Sequence, residues 1–236
     1  MKICAIQKTT LIDYPGHVAA TVFFAGCNFR CPWCYSKELV LPELISQQPE
    51  IALKDFLAFL KEKQGLLEGV VLCGGEPTLN PDLPELIKKI KDLGFLVKLD
   101  SNGSNPKMLK DLIESKLVDY VAMDIKLPKN RYSLVFGAAM SSELIEQSIF
   151  ILKNSDIDFE FRTTCAPGVH TTDDLARMAE WIGQRVPGKS PKYFLQNFRP
   201  ERTIDPKFES LRPFPPEFFN EAIEKIKLFV PECKIR

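Results

Sequence analysis

Six short apolar runs recur along the chain, at residues 18–24, 69–73, 95–100, 120–124, 158–164 and 193–197. A stretch of helical period separates each run from the next, so the runs read as buried strands and the stretches between them as amphipathic helices. Leu53, Phe56, Leu57 and Leu60 form one apolar face, closed by Gly65; Leu83, Leu86, Ile87 and Ile90 form another, entered at Asn80 and Pro81 and left at Gly94. Leu109, Leu112 and Ile113 form a third face, and Leu144, Ile145, Ser148, Ile149 and Leu152 a fourth. Leu175, Met178, Ala179 and Ile182 form a fifth, started by Thr172, Asp173 and Asp174. A last helix is expected over 216–229, an extra edge strand over 2–10, and an irregular connection over 200–216, which is rich in Pro, Arg and Phe. Six strands alternating with helices imply an α/β fold with a parallel sheet and right-handed crossovers, with fewer units than the eight that close a full barrel.

The chemistry-bearing residues cluster at the C-terminal ends of these strands, where such architectures place active groups. After the first strand come Cys27, Cys31 and Cys34, spaced C-x3-C-x2-C. Three soft thiolates from one loop can hold an iron–sulfur cluster and leave one iron open for a ligand. The other reading is a zinc knot, but zinc favours paired C-x2-C units and no second pair exists in the sequence. Gly74, Gly75 and Glu76 end the second strand, either as a tight turn or as a cradle for a small polar ligand. Asp100, Ser101, Asn102 and Gly103 end the third, where an Asx-type turn is the simpler reading. Asp124 and Lys126 end the fourth, two apart and on one face; a structural ion pair and a ligand contact are both open. Arg162 lies on the fifth. Trp33 is either core or a flat surface for a planar ligand. His17 and His170 read as surface or packing residues, and Cys73 as a small buried one.

Composition narrows the classes. At 236 residues the chain has the length of one domain, with ordinary apolar content of 45% and charged content of 26%. Thirty-one Lys and Arg balance thirty-one Asp and Glu, so no long-range field favours nucleic acid or an anionic membrane. The start, MKICAIQKTT, lacks the apolar core of a signal peptide, and no run reaches the ~20 residues that span a bilayer. Seven cysteines, an odd number, point to a reducing compartment, hence the cytoplasm.

The cysteine spacing with Trp33 inside it, followed by Gly-Gly-Glu at the next strand end, resembles the radical SAM superfamily. LIDYPG at 11–16, GGEPT at 74–78, LDSNG at 99–103, DYVAMDIK at 119–126 and FRTT at 161–164 resemble its glycyl-radical-enzyme activating branch. Within that branch the likeness is nearest to activating proteins of anaerobic ribonucleoside-triphosphate reductase. It extends from about residue 8 to about residue 200. The resemblance implies a radical SAM core built as a partial (β/α)6 barrel of TIM type. It implies one domain over 1–236, with a core of about 17–200 and a C-terminal helical extension of about 201–236. It also implies a 4Fe–4S cluster on Cys27, Cys31 and Cys34, and S-adenosylmethionine (SAM) as second cofactor. Gly74, Gly75 and Glu76 then meet the SAM amino group, and Asp100, Ser101 and Asn102 lie beside its carboxylate and ribose. Lys126, with Arg162 nearby, counters the carboxylate, and Trp33 approaches the adenine. Asp100 and Asp124 share a monovalent cation. Implied partners are a glycyl radical enzyme, anaerobic ribonucleotide reductase first, and an electron donor such as flavodoxin or ferredoxin. The alternatives are a radical SAM enzyme acting on a small molecule such as a deazapurine precursor, and a zinc-binding module without catalysis.

Overall fold

The computed structural model describes residues 1–136 and 141–236, without the side chain of residue 136. Eight strands form one sheet in sequential order: β1 (Ile3–Thr10), β2 (Ala19–Phe24), β3 (Gly69–Gly74), β4 (Leu96–Ser101), β5 (Tyr120–Asp124), β6 (Asp158–Cys165), β7 (Lys192–Asn197) and β8 (Cys233–Ile235). β1 pairs antiparallel with β2. The pairs β2–β3, β3–β4, β6–β7 and β7–β8 are parallel. The connections from β2 onward carry helices α1 (Leu53–Glu62), α2 (Leu83–Asp92), α3 (Pro106–Glu114), α4 (Ser142–Lys153), α5 (Thr172–Glu180) and α6 (Pro216–Ile226). Strands β2 to β7 in sequential order, each followed by a helix, have the connectivity of a partial (β/α)6 barrel. Among the described residues no helix is long and apolar enough to cross a membrane.

The elements form where the sequence supplies their buried faces. Val70, Val71 and Leu72 of β3 are all fully buried, the pattern of an interior parallel strand covered on both sides. Leu83, Leu86, Ile87 and Ile90 make the buried stripe of α2. Helix α5 starts at Thr172, as the sequence predicts. Thr171 caps it, accepting from Asp174 N–H while the Asp174 carboxylate accepts from Thr171 N–H, a reciprocal capping box. Strand β8 and a π-helical turn at Trp181–Arg185 are among the features without a counterpart in the sequence reading. Buried Lys153 closes that turn by donating to the carbonyls of Ile182, Gly183 and Val186 at 2.7, 2.8 and 2.5 Å.

The chain divides into two compact units, each discontinuous in sequence: residues 1–28, 38–101 and 107–121, and residues 29–37, 102–106 and 122–236. In the first, the C-terminal ends of β2 and β3 run in register, Phe24 beside Gly74. Gly75 N–H donates to Phe24 O at 2.9 Å, Glu76 N–H to Gly26 O at 2.7 Å, and Gly26 N–H to Leu39 O at 2.7 Å. A Cβ on Gly74 would fall 2.3 Å from Phe24 backbone atoms, and one on Gly75 only 1.9 Å from Gly26 O. Gly74 also has φ +124°, which L side chains rarely adopt. These glycines are therefore demanded by the chain's own backbone, which here brings one strand end against the segment leading into Cys27. Gly75→Ala should lower stability by about 3 kcal/mol or more. For a chain of this size that lowers the melting temperature by roughly 6–12 °C, measurable by thermal denaturation.

Candidate active site

In the first unit, Glu76 is fully buried. Its Oε1 accepts from Thr78 N–H at 3.1 Å, Thr78 Oγ1 at 2.5 Å and Ser101 Oγ at 2.9 Å. The carboxylate thus caps the short turn Pro77–Leu79 and ties the end of β3 to the end of β4. On β4, Lys98 and Asp100 are two residues apart and share a face. Lys98 is fully buried, and its Nζ donates to Asp100 Oδ1. Cys27, just past β2, is half-buried.

In the second unit, Cys31 is buried and Cys34 half-buried. Their loop is tied down mainly by backbone. Cys34 N–H donates to Cys31 O at 3.0 Å, and Arg30 N–H to Val135 O at 2.7 Å. Ile204 N–H donates to Cys34 O at 3.0 Å, and Asp205 N–H to Pro32 O at 2.9 Å. The Trp33 indole is buried, its ring 5.7 Å from that of His170 and 6.5 Å from that of Phe208. Residues 203–208, within the stretch whose sequence suggested no role, therefore strap the cysteine loop.

Beside this loop lies a charged group from β5 and β6. Asp124 Oδ1 accepts from Arg162 Nε at 2.9 Å, and Oδ2 from Lys126 Nζ at 2.7 Å. Burial works against the Asp124 charge, but the Arg162 guanidinium and the Lys126 ammonium outweigh it and hold the carboxyl well below the usual carboxylate range. Burial likewise opposes the Lys126 charge. The Asp124 carboxylate and the nearby Cys31 and Cys34 thiolates overcome it, so the ammonium is held above the ordinary lysine range. The Lys126 backbone is fixed on both sides: its N–H donates to Tyr132 Oη at 2.9 Å, and its carbonyl accepts from His170 Nε2 at 2.9 Å. His170 Nδ1 accepts from Ala166 N–H at 3.0 Å, which sets the neutral tautomer with the proton on Nε2.

Most residues singled out in the sequence carry polar contacts of these kinds. Gly74, Gly75, Glu76 and Ser101 gather in the first unit, with Asp100 held by Lys98. Cys31, Cys34, Asp124, Lys126 and Arg162 gather in the second. Asn102 makes the Asx-type turn, its Oδ1 accepting from Ser104 N–H at 2.9 Å. Trp33 lies in the core. Among the described residues no group of three or more His, Cys, Asp or Glu side chains is close enough to hold a metal ion. The three-thiol assignment stands on spacing and family. Sequence reasoning missed Lys98, the strap at 203–208 and the bridging position of His170. The one available signal was Lys98 itself, a lone charge between Val97 and Leu99.

Burial holds the His170 pKa below its usual value, only partly offset by its bonds to Lys126 and Ala166. The unfolded chain then binds a proton at a pH where the folded chain does not. His170 costs nothing above about pH 6.5, and stability falls as pH drops below that value toward the folded pKa. His170→Gln, which cannot titrate, should flatten the loss between about pH 6.5 and 5 in denaturant unfolding of the two proteins.

Residues 21–182 match the Radical SAM superfamily. A protein of Methanocaldococcus jannaschii named "putative glycyl-radical enzyme activating enzyme" is 31% identical over 99% of this chain and 95% of its own length. A 7-carboxy-7-deazaguanine synthase of Thermococcus kodakarensis is 27% identical over 72% of this chain and 70% of its own. Among solved structures, a domain of pyruvate-formate lyase-activating enzyme from Bacteroides vulgatus matches with a TM-score of 0.57 at 17% identity, over 72% of this chain and 99% of that domain, a likeness of fold. With the cysteine spacing and strand order above, these matches make the chain an enzyme of the radical SAM superfamily, whose members work with a 4Fe–4S cluster and SAM, and a relative of its glycyl-radical-enzyme activating branch.

Proposed function

We propose that this chain installs a glycyl radical on a partner enzyme, and that the partner is an anaerobic ribonucleoside-triphosphate reductase. The observation that carries the activating reading is the match to a relative of that name over nearly the whole of both chains. The reductase as partner rests on the sequence motifs. In this reading residues 1–236 act as one radical SAM domain in the cytoplasm, fed electrons by a flavodoxin- or ferredoxin-type donor.

By residue type and spacing the donor set suits the cofactors. Cys27, Cys31 and Cys34 are soft ligands in the superfamily spacing, and two of them lie near the Lys126 ammonium. When bound, the cluster and SAM would supply one-electron reductive chemistry and the radical that removes a hydrogen atom from the partner's glycine Cα. The chain's residues prepare for this by position and charge. The Gly74–Glu76 edge takes the SAM amino group, held in shape by the three bonds to Glu76 Oε1. Lys126 meets the carboxylate, its ammonium fixed in place by Asp124, and Arg162 adds a second positive group from β6. Asp100, Ser101 and Asn102 line the ribose side. Trp33 and His170 keep water from the cysteine loop by filling the space behind it. A second reading, action on a small deazapurine-type molecule, is favoured by the likeness to the deazaguanine synthase.

Lys126→Ala should weaken SAM binding about tenfold while iron and sulfide content stay near the unsubstituted level, because one charge-assisted contact is lost. Equilibrium dialysis with labelled SAM reads the first and metal analysis the second; unchanged affinity would remove Lys126 from the site. The function itself is tested by mixing anaerobically reconstituted protein, SAM and reductant with an anaerobic ribonucleotide reductase. The expected result is a glycyl radical doublet in electron paramagnetic resonance, absent when Cys27, Cys31 and Cys34 are all alanine. Turnover of a small deazapurine precursor, with no radical on the reductase, would favour the second reading.

A further inference from the structure

Two carboxylates in this chain stand where the family resemblance implies a shared monovalent cation, and neither is arranged for one. Asp100 faces Lys98 on the same side of β4, and the Lys98 ammonium is fully buried, flanked in sequence by Val97 and Leu99. A buried ammonium is tolerated only when its charge is met, and Lys98 Nζ donates directly to Asp100 Oδ1. The Tyr120 ring lies 6.0 Å from Nζ, at the outer limit of useful cation–π attraction, so its contribution is small beside that of the carboxylate. Asp124 has cations on both oxygens, Arg162 Nε on Oδ1 and Lys126 Nζ on Oδ2.

Hard metal cations are held by several oxygen ligands, carboxylate, carbonyl or water, and are repelled by a fixed positive charge beside them. A metal ion on Asp100 would sit beside the Lys98 ammonium and meet like-charge repulsion that a buried site screens poorly. At Asp124 both carboxylate oxygens already accept from resident cations, and a metal ion there would meet like-charge repulsion from Arg162 and Lys126.

We propose that Lys98 is the cation of Asp100: a covalently tethered ammonium replaces the exchangeable monovalent ion, and SAM binding in this chain needs no added metal cation. Lys98 is a positioning residue, acting through Asp100. The inference rests on the reading that Asp100 and Asp124 face SAM.

The test uses the reconstituted holoprotein in matched potassium and choline buffers. SAM affinity, by equilibrium dialysis, should agree within about twofold between the two. Lys98→Met keeps the apolar stem and removes the ammonium. It should bind SAM at least about tenfold more weakly in choline, the scale of a lost charge-assisted contact, and potassium or ammonium should largely restore it. Crystals of the holoprotein soaked in thallium(I), a potassium surrogate, should show no anomalous peak at Asp100 or Asp124, and Lys98→Met should gain one at Asp100. Three results would overturn the proposal: a thallium peak at either carboxylate of the unsubstituted protein, a tenfold loss of its SAM affinity in choline, or Lys98→Met binding SAM normally in both buffers. If Lys98→Met does not fold, judged by circular dichroism, the unsubstituted protein decides through the first two results. Failure of the functional reading looks different: no 5′-deoxyadenosine forms in any buffer, and the thallium result still decides the cation.

Discussion

The close approach of two strand ends is the constraint on which the rest of the site depends. Gly75 lies so near Gly26 O that even one added carbon would overlap it, and the N–H groups of Gly75 and Glu76 close the contact with hydrogen bonds to Phe24 and Gly26. Parallel pairing holds β2 and β3 in register up to Phe24 and Gly74, so the contact fixes where the chain leaves β2. The segment that leads into Cys27 then departs from a defined point. The same turn delivers Glu76 to a fully buried position, where its carboxylate reaches Ser101 on β4. A backbone fit thus sets both the start of the cysteine loop and the alignment of the next strand end.

Charge is the second organising element, and it is balanced locally. Lys98 answers Asp100, while Arg162 and Lys126 answer Asp124. Buried ion pairs of this kind contribute little net stability, because desolvation consumes most of the attraction. Their effect is to fix charged atoms in space before any ligand arrives, so that little reorganisation is needed when one binds. The backbone of Lys126 is fixed in the same spirit, between the Tyr132 hydroxyl and the His170 ring.

How much of this is legible in the sequence depends on the kind of interaction. β5 occupies Tyr120–Asp124, the bounds that periodicity predicts, and the other five expected strands differ by one residue at one or both ends. Apolar periodicity records burial, so these elements are readable. The last helix ends at Ile226, three residues short of the expectation, and β8 has only three residues, too few to show alternation. β8 is defined instead by pairing with β7, and the following Arg236 grips buried Glu160 through two bonds of 2.6 and 2.9 Å. Motifs identify site residues by type, yet they are silent about partners. Gly75 reads as a ligand cradle and is also required by Gly26, Trp33 offers an aromatic face and is also packed in the core, and Lys98 looks like a stray charge in an apolar strand.

The strap at 203–208 shows why some functional contacts escape sequence reading altogether. It holds the cysteine loop through the N–H groups of Ile204 and Asp205, which pair with carbonyls of Cys34 and Pro32 about 170 residues earlier in the chain. Any residue but proline can supply such a donor, so no side-chain pattern marks the contact. What the local sequence does show is compatible: Pro206 falls just after the second donor, where it begins the short turn Pro206–Ser210, and Asp205 caps that turn by accepting from Lys207 N–H at 3.0 Å. Thr203, fully buried, bonds to the Asp205 carbonyl at 2.8 Å and presents its own carbonyl to Lys37 Nζ. The turn is therefore shaped by its own side chains and pressed on the loop by its backbone. Phe208, carried on that turn, then reaches Trp33. Order at Cys31 and Cys34 comes as much from this distant segment as from the loop's own residues.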